Sequence, residues 1–557
     1  MKSTRASSLC RRLVAAGKFL AICVLLVLCR TGLAQPHWEW ARRGFGSGNF
    51  DSVYGLGTAS DAQGTVYVAG RFGGTATFSD ANLTVKSDGD SDAFLAKFDG
   101  AGSLQWVRRF GGKGYDTANG VAVDAGGNVY LAGRYAGPAT FDSFTLTNFT
   151  AGFVAKLEAA TGSVLWVYDA ALEWFGVAVD SNSNAYVVGQ PPGLQLAGTK
   201  LAGPISLAKY NSSGARQWYT NSLAPNLSTS GSGRAIALDS AGNPYITGTF
   251  RRVVQFGGTS LTNAAIANNN YDEVFVAKFS TSGIPQWARR GGGEGNDQGL
   301  GIAVDGLGNA FVTGYCDNTT ALNSGTSVQF DIGGFVFPGA TGGGLGNMFL
   351  AKFDSGGIGL WARKLGGMSS GAGLAVSFSG DLFATGTFRT TPLDFGGVTL
   401  TTDWSNEEIF VVRYDPAGTA VWGRRSSSTQ TGVRHGIGAA LASNGGVYAV
   451  GDFSGSSPVE FDGAIFSSVG TRVSMYVGKL AEAGPTGPTL QGLTLLAGGV
   501  LRLAVAGPQG QSYVVEATSN LSDWGPVATN SLSNGFIEFT DPSITGPQSR
   551  YYRLKIP

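Results

Sequence analysis

The carboxylates are the residues whose spacing comes nearest to chemistry. Asp88-Gly-Asp90-Ser-Asp92 sets oxygen ligands at alternate positions, as the start of a calcium loop does. Such a loop wants glycine at its sixth position, and Ala93 stands there. The expectation for Asp88, Asp90 and Asp92 is a calcium site, set against the plainer reading of an acidic turn. Asp51, Asp116 and Asp297 each precede the same kind of small-apolar segment. If those segments line a channel, the three carboxylates gather at one rim, where they could hold a cation or a sugar. Asp124, Asp180, Asp239 and Asp305 recur at one point of a repeated pattern. Recurrence favours a turn role, because Asp bonds nearby backbone amides and active sites are rarely repeated many times along one chain. Glutamate pairs for glycoside hydrolysis have no local motif that selects two of them.

Other chemistry is thin. The two histidines, His37 and His435, lie far apart in sequence, and nothing marks them as a metal pair or as part of a Ser-His-Asp triad. Lys97, Lys156, Lys209, Lys278, Lys352 and Lys479, with Arg413, recur inside apolar runs. Either they form a basic stripe or, the preferred reading, alternating strands turn them to solvent. Glycine runs such as Gly342-Gly-Gly-Leu-Gly lack a following helix or Lys-Ser/Thr, so they are loops and not phosphate cradles.

The elements that must position these residues come from a repeat. Gly-x-x-x-Trp closes six similar stretches, at Trp106, Trp166, Trp218, Trp287, Trp361 and Trp422, and Trp40 is a stray seventh copy. Successive spacings from Trp40 are 66, 60, 52, 69, 74 and 61 residues. Each interval holds three more pieces in fixed order. The first is small and apolar (Gly-Val-Ala-Val-Asp, 120–124). The second follows a short turn (Val-Tyr-Leu-Ala-Gly, 129–133). The third reads like Ala-Phe-Leu-Ala-Lys-Phe, 93–98. Two such runs joined by a few turn residues make a hairpin. Small residues on the first strand would let neighbouring units approach closely near an axis.

Four strands per unit in seven units predict an all-β, seven-bladed β-propeller over residues 35–481. The last unit, ending at Tyr476-Val-Gly-Lys-Leu480, lacks its Trp strand, and the orphan Trp strand is at Trp40. The N-terminal strand is therefore expected to complete blade seven. The Gly-Ile-Ala-Val-Asp, Gly-Asn-Ala-Phe-Val-Thr-Gly and Ala-Lys-Phe-Asp segments resemble the bacterial seven-bladed β-propeller repeat family over about residues 37–481. The resemblance implies the fold and almost nothing about a ligand. The third unit departs most: Gln190-Pro-Pro-Gly replaces its usual stretch, which puts its outer edge in doubt. Lys156 to Trp166 also resembles the tryptophan-docking repeat of quinoprotein propellers, which would imply a quinone-cofactor dehydrogenase. The other five copies lack its Thr-Gly form, and no adjacent Cys pair exists. The preferred reading is an outer-strand Trp that packs over a glycine turn and ties blades together.

The chain ends carry address and accessory signals. Residues 1–34 read as a cleaved signal peptide, with a basic n-region and an apolar run from Phe19 to Leu28 too short for a confident membrane span. Leu28 before Cys29 argues against a lipid anchor. Removing this segment leaves 33 basic against 38 acidic residues, a net of −5, with no basic face for nucleic acid. Cys316 remains as the single cysteine, so no disulfide forms within the mature chain. Residues 482–488 read as a Gly/Pro linker, and 489–557 as a small β-sandwich. Tyr513 to Trp524 and the late Tyr-Tyr-Arg-Leu resemble C-terminal fibronectin-type-III-like modules of bacterial secreted proteins, which implies an accessory role. The functional expectation is a secreted, monomeric, non-enzymatic module that binds or scaffolds a carbohydrate or a surface protein. A polysaccharide hydrolase or lyase acting at the channel mouth is the alternative.

Overall fold

The structure is a computed structural model. It describes residues 36–481 except 49–50, 79–82, 171–172, 191–201, 225–228, 265–270, 294, 318–328, 339–345, 379, 390–391, 403–406, 428–431, 456–457 and 468–471. Beyond these it describes 489–495, 501–506, 512–519, 523–531, 536–541 and 551–555. The signal segment 1–34 and the linker 482–488 lie outside the described residues.

Five of the seven repeats start as a strand that ends at an Asp and turns, and Ser377 and Ala442 stand at that point in the other two. The Asp builds the turn. The Asp124 carboxylate accepts the Asn128 backbone N–H at 2.8 Å, and Gly127 supplies a φ of 86°. Asp180, Asp239 and Asp305 accept the corresponding N–H of Asn184, Asn243 and Asn309. The turn reading of these four residues therefore holds.

The described residues of 37–481 form seven four-stranded antiparallel blades and no helix. Blade 2 is typical: Thr117–Val123 is innermost, followed outward by Val129–Ala136, Thr150–Leu157 and Val164–Ala170. Each inner strand packs beside that of the next blade, and Val433–Leu441 packs beside Ser52–Ser60, so the ring is complete. In blade 7, Ser474–Ala481 pairs antiparallel with His37–Gly46, with Trp40 opposite Lys479. Blade 3, the most divergent in sequence, still has its outer strand Arg216–Leu223 paired along Ala202–Tyr210.

One cross-strand row recurs in every blade. Tyr130 pairs Lys156, which pairs Trp166. The same row is Tyr245, Lys278 and Trp287 in blade 4, and Tyr448, Lys479 and Trp40 in blade 7. The lysines do not point to solvent, contrary to the alternation argument. Lys156, Lys278 and Lys352 are buried, because the next blade covers the face on which they lie. Lys156 reaches Asp124 at 3.5 Å, and its ammonium lies 5.0 Å from the Tyr130 ring centroid.

The tryptophans tie each blade to the next. Trp218 of blade 3 lies on Gly283, in the last turn of blade 4, and its indole N–H donates to the Thr281 carbonyl at 3.0 Å. Gly283 has φ of 80°, and a Cβ there would stand 2.9 Å from the indole. Trp40 meets Gly102 in the same way, crossing from blade 7 to blade 1. The Trp thus packs on the following blade's glycine and not on the glycine of its own Gly-x-x-x-Trp. Short hairpins add a second tie: Ala139–Phe141 of blade 2 pairs with the outer strand Leu104–Gly112 of blade 1.

The C-terminal unit is a separate compact body. One sheet holds Thr489–Leu495, Leu501–Ala506 and Phe536–Phe539, and the other Gly525–Ser531, Ser512–Thr518 and Tyr551–Lys555. Leu503 and Ile537 from the first share one apolar cluster with Tyr513, Val515 and Tyr552 from the second.

Contact between inner strands sets a steric test. A Cβ on Gly301 would stand 2.3 Å from the Ala372 carbonyl oxygen of the next blade. Gly301→Val is expected to lower unfolding free energy by about 1–3 kcal/mol in urea denaturation, the usual cost of overpacking. Gly366→Ala, where a Cβ would meet nothing within 4 Å, should leave the midpoint unchanged. Equal midpoints for both variants would contradict the strand contact.

Candidate functional site

The central channel is built by a defect that every blade repeats. The pairing register of the inner two strands slips by one residue between Gly55 and Gly57, Ala118 and Gly120, Trp174 and Gly176, and at the same point of the other four blades. Each slip is a β-bulge that re-aims one residue. The residues so placed are Leu56, Asn119, Phe175, Arg234, Leu300, Ala372 and Ile437, and all seven line one cavity of about 620 Å³. The glycine after the bulge lets the strands close up: a Cβ on Gly120 would stand 3.0 Å from the Phe175 carbonyl.

A second ring lies one step toward the mouth. It is formed by the residue after the glycine of each second strand and its partner across the ladder. These pairs are Tyr54 with Arg71, Thr117 with Arg134, Glu173 with Gln190, Ser232 with Thr249, Gln298 with Tyr315, Ser370 with Thr387, and His435 with Asp452. Architecture repeats around the channel while these positions vary, so the rings carry what is specific to this chain.

The two sides of the mouth differ in chemistry. On blades 1 to 4 the Arg71 guanidinium lies 4.1 Å from the Tyr54 ring centroid and 5.2 Å from that of Tyr115. Arg134 lies 5.7 Å from Tyr115, and Arg234 lies 4.5 Å from Phe175. The Arg234 Nε is buried with no hydrogen-bond partner among the described residues. Glu173 lines the same cavity. On blades 5 to 7 a second cavity of about 390 Å³, which shares Ala372 and Ile437 with the first, is lined by Tyr315, Ser370, Arg389, Glu407 and His435, among others. His435 Nδ1 lies 2.7 Å from Asp452 Oδ1. That hydrogen bond, with burial opposing it, holds the imidazole above its ordinary pKa.

The structure places the carboxylates singled out in the sequence elsewhere. Asp116 accepts the backbone N–H of Gly112 at 2.8 Å and of Ala136 at 2.9 Å. Asp297 accepts those of Gly293 and Asp317, and Asp51 those of Gly48 and Thr75. Each joins an amide of the loop that enters its blade (Gly48, Gly112 or Gly293) to one at the end of the blade's second strand (Thr75, Ala136 or Asp317). They occupy one level of blades 1, 2 and 5, but none is among the residues lining the mouth. In the Asp88–Asp92 segment a protein cation is already present: Arg109 lies 2.7 Å from Asp88 and 2.6 Å from Asp92. Asp90 is exposed beside them. Among the described residues no group of three or more His, Cys, Asp or Glu is placed to hold a metal ion. His37 and His435 share the sheet of blade 7 but sit on its outer and inner strands.

Sequence reasoning passed over Arg71, Arg134 and Arg234. A signal existed for the first two. Val66-Tyr-Val-Ala-Gly-Arg71 and Val129-Tyr-Leu-Ala-Gly-Arg134 carry arginine where the other units have Gln190, Thr249, Tyr315, Thr387 and Asp452.

Comparison with known proteins agrees at the level of the repeat. Residues 105–134 and 286–319 match a family model described as beta-propeller repeat. With the seven-bladed ring, these matches support the propeller-repeat family. A curated relative, a WD repeat-containing protein of Acanthamoeba polyphaga mimivirus, is 23% identical over 515 residues. The match covers 74% of this chain, and the chain spans only 36% of the relative's length. Similar solved structures include the Neurospora crassa Pan2 WD40 domain, with TM-score 0.38 and 9% identity, covering 80% of this chain and 97% of that one. Another is quinohemoprotein alcohol dehydrogenase from Comamonas testosteroni, with TM-score 0.37 and 12% identity, covering 86% and 81%.

The buried loop carboxylates give stability a pH dependence. Burial, only partly opposed by its backbone hydrogen bonds, pushes Asp116 from 3.8 to about 6. Asp92 and Asp297 are also raised by burial. The folded chain therefore binds protons more tightly than the unfolded chain, so stability falls as pH rises through this window. Denaturation midpoints should decline from about pH 4 to about pH 6, and Asp116→Asn should flatten part of that decline. A slope unaltered by the substitution would contradict the assignment to Asp116.

Proposed function

We propose that the protein is an extracytoplasmic propeller-repeat module that binds a carbohydrate at its channel mouth without cleaving it. The single observation that carries this reading is the pair of variable rings at the mouth. They offer aromatic faces, apolar side chains and charged donors on rigid strands, as small-ligand sites do. A hydrolase or lyase would need two or more carboxylates facing each other across that mouth. The arginine side supplies Glu173, while Glu407 and the histidine-bound Asp452 lie around to the other side. A surface protein as ligand is the outcome to be distinguished by experiment.

The rest of the chain fits the same reading. The basic and apolar N-terminal segment would direct export and be removed. The mature ring would be locked without a disulfide by its N-terminal strand. Support comes from the Trp38 N–H, which donates to Asp462 at 2.9 Å, from the 2.6 Å contact of Glu39 with Lys479, and from the Trp38 ring edge-on to Phe461. Residues 489–557 would form a small β-sandwich of fibronectin-type-III-like kind, serving as an accessory module. Its two sheets with one shared apolar cluster support that. The protein would act as a monomer.

Two measurements test this. A glycan array followed by a reducing-sugar assay on the hits should show binding without release of new reducing ends. Product release would replace the binding module with an enzyme. Deleting residues 37–46 should lower the unfolding midpoint further than Trp40→Ala, which alone is expected to cost about 3 kcal/mol. Unchanged melting on deletion would contradict closure by this strand.

A further inference from the structure

We infer that the arginine side of the mouth selects a carboxylate-bearing oligosaccharide, a short uronic-acid chain. The inference rests on the carbohydrate reading above and narrows it to a ligand class.

Other ring arginines are anchored by protein oxygens: Arg108, Arg289 and Arg363 donate to backbone carbonyls, and three more meet carboxylates. Arg109 pairs with Asp92, Arg251 with Asp272 and Arg290 with Glu273. Arg71, Arg134 and Arg234 face one cavity of about 620 Å³, and none makes an ion pair with a carboxylate among the described residues. One acid, Glu173, shares that cavity, which leaves an excess of positive charge. Such an excess in a partly enclosed mouth is favourable once an anion fills it.

The aromatic rings set the geometry of recognition. Tyr54, Tyr115 and Phe175 lie against the guanidinium groups and not against carboxylates. A guanidinium held on a ring face keeps its in-plane N–H donors free. Those donors form a fork that matches a carboxylate with two parallel hydrogen bonds. Leu56, Leu300 and Ile437 complete the wall. They suit the apolar face of a pyranose ring and would gain nothing from a bare inorganic anion. The cavity falls within the range of small-ligand sites, large enough for more than one sugar ring.

The test is calorimetric titration of the full mature chain with a short oligogalacturonate. Parallel arms use the neutral galacto-oligosaccharide, inorganic sulfate, inorganic phosphate and an acidic peptide. The oligogalacturonate is expected to bind, more weakly as sodium chloride is raised. Arg71→Gln and Arg134→Gln should each weaken it about tenfold, the scale of a lost hydrogen bond to a charged group. Arg71→Lys, which keeps the charge but not the fork, should weaken it as well. Thermal melting identifies any variant that fails to fold, and Arg134→Lys then stands in for Arg134→Gln. Equal binding of the neutral oligosaccharide, or equal affinity of the arginine variants, overturns the acidic selectivity and leaves the carbohydrate reading intact. Sulfate or phosphate binding as tightly as the sugar acid overturns it in favour of a free-anion site. Failure of both oligosaccharides, or binding of the acidic peptide alone, sinks the inference and the carbohydrate reading together.

Discussion

A four-stranded sheet has two faces to cover and cannot cover them alone. Everything in the ring follows from how each blade covers the next. The cover is made specific by the indole that reaches over a neighbouring turn and fits only because that turn carries glycine at positive φ. A flat ring and an absent Cβ set the distance between blades, and the indole N–H to a turn carbonyl sets the angle. The Tyr–Lys–Trp row then has one place to lie, between its own sheet and the next. The lysine there loses much of its water, but it gains the Asp of the first turn and the ring of the aromatic residue beside it. Burying a cation is costly unless it is paired, and here the pairing partner is the same Asp that shapes the turn. In blades 2 to 5 one residue thus serves local structure and inter-blade packing together.

The ring has one seam where this device fails. Six tryptophans, from Trp40 to Trp361, have a turn glycine in the following blade. Trp422 of blade 6 faces blade 7, whose third strand ends at Ala481 and whose fourth strand begins at His37. No covalent turn joins those two strands, so no turn glycine is there to receive the indole. Instead Trp422 packs against the cluster that contains Trp38, Tyr476 and Leu480. The doubled tryptophan of the N-terminal strand, Trp38 with Trp40, serves both sides of the seam. Trp38 packs within blade 7 over Gly478, while Trp40 carries the ordinary tie to blade 1.

How much of this could be read from the sequence depends on whether the signal was repeated. Strands, turns and blade number were legible because each blade restates them, and Asp124 and its counterparts were legible as turn residues for the same reason. The lysines were misread because strand alternation tells which side a residue takes and not what covers that side. For Asp116 and Asp297 the sequence did not show that backbone amides on either side of the second strand take their oxygens. The bulges were not legible at all. One extra residue in a run such as Tyr54-Gly-Leu-Gly-Thr leaves no mark in composition, and only the register against the second strand reveals it. The mouth arginines were hidden by the opposite cause: they are the exception at a repeated position, and a search for repeats averages exceptions away.

That last point explains where function can reside in such a molecule. A position repeated in seven blades is held by packing, and changing it disturbs a blade and its neighbour. A bulge residue on an inner strand is different, because the extra residue leaves the ladder unpaired and points into open volume. Leucine, asparagine, phenylalanine, arginine, alanine and isoleucine all occupy that place in one chain without altering the strands around it. The fold therefore separates stability from recognition more cleanly than a loop-built site does. The side chains at the mouth vary from blade to blade, yet the strands that present them are paired in the same register around the ring. A ligand meeting Arg71, Arg134 and Arg234 meets groups already oriented by aromatic faces. Little ordering entropy would then be lost if a ligand bound there, which is how preorganised groups raise affinity.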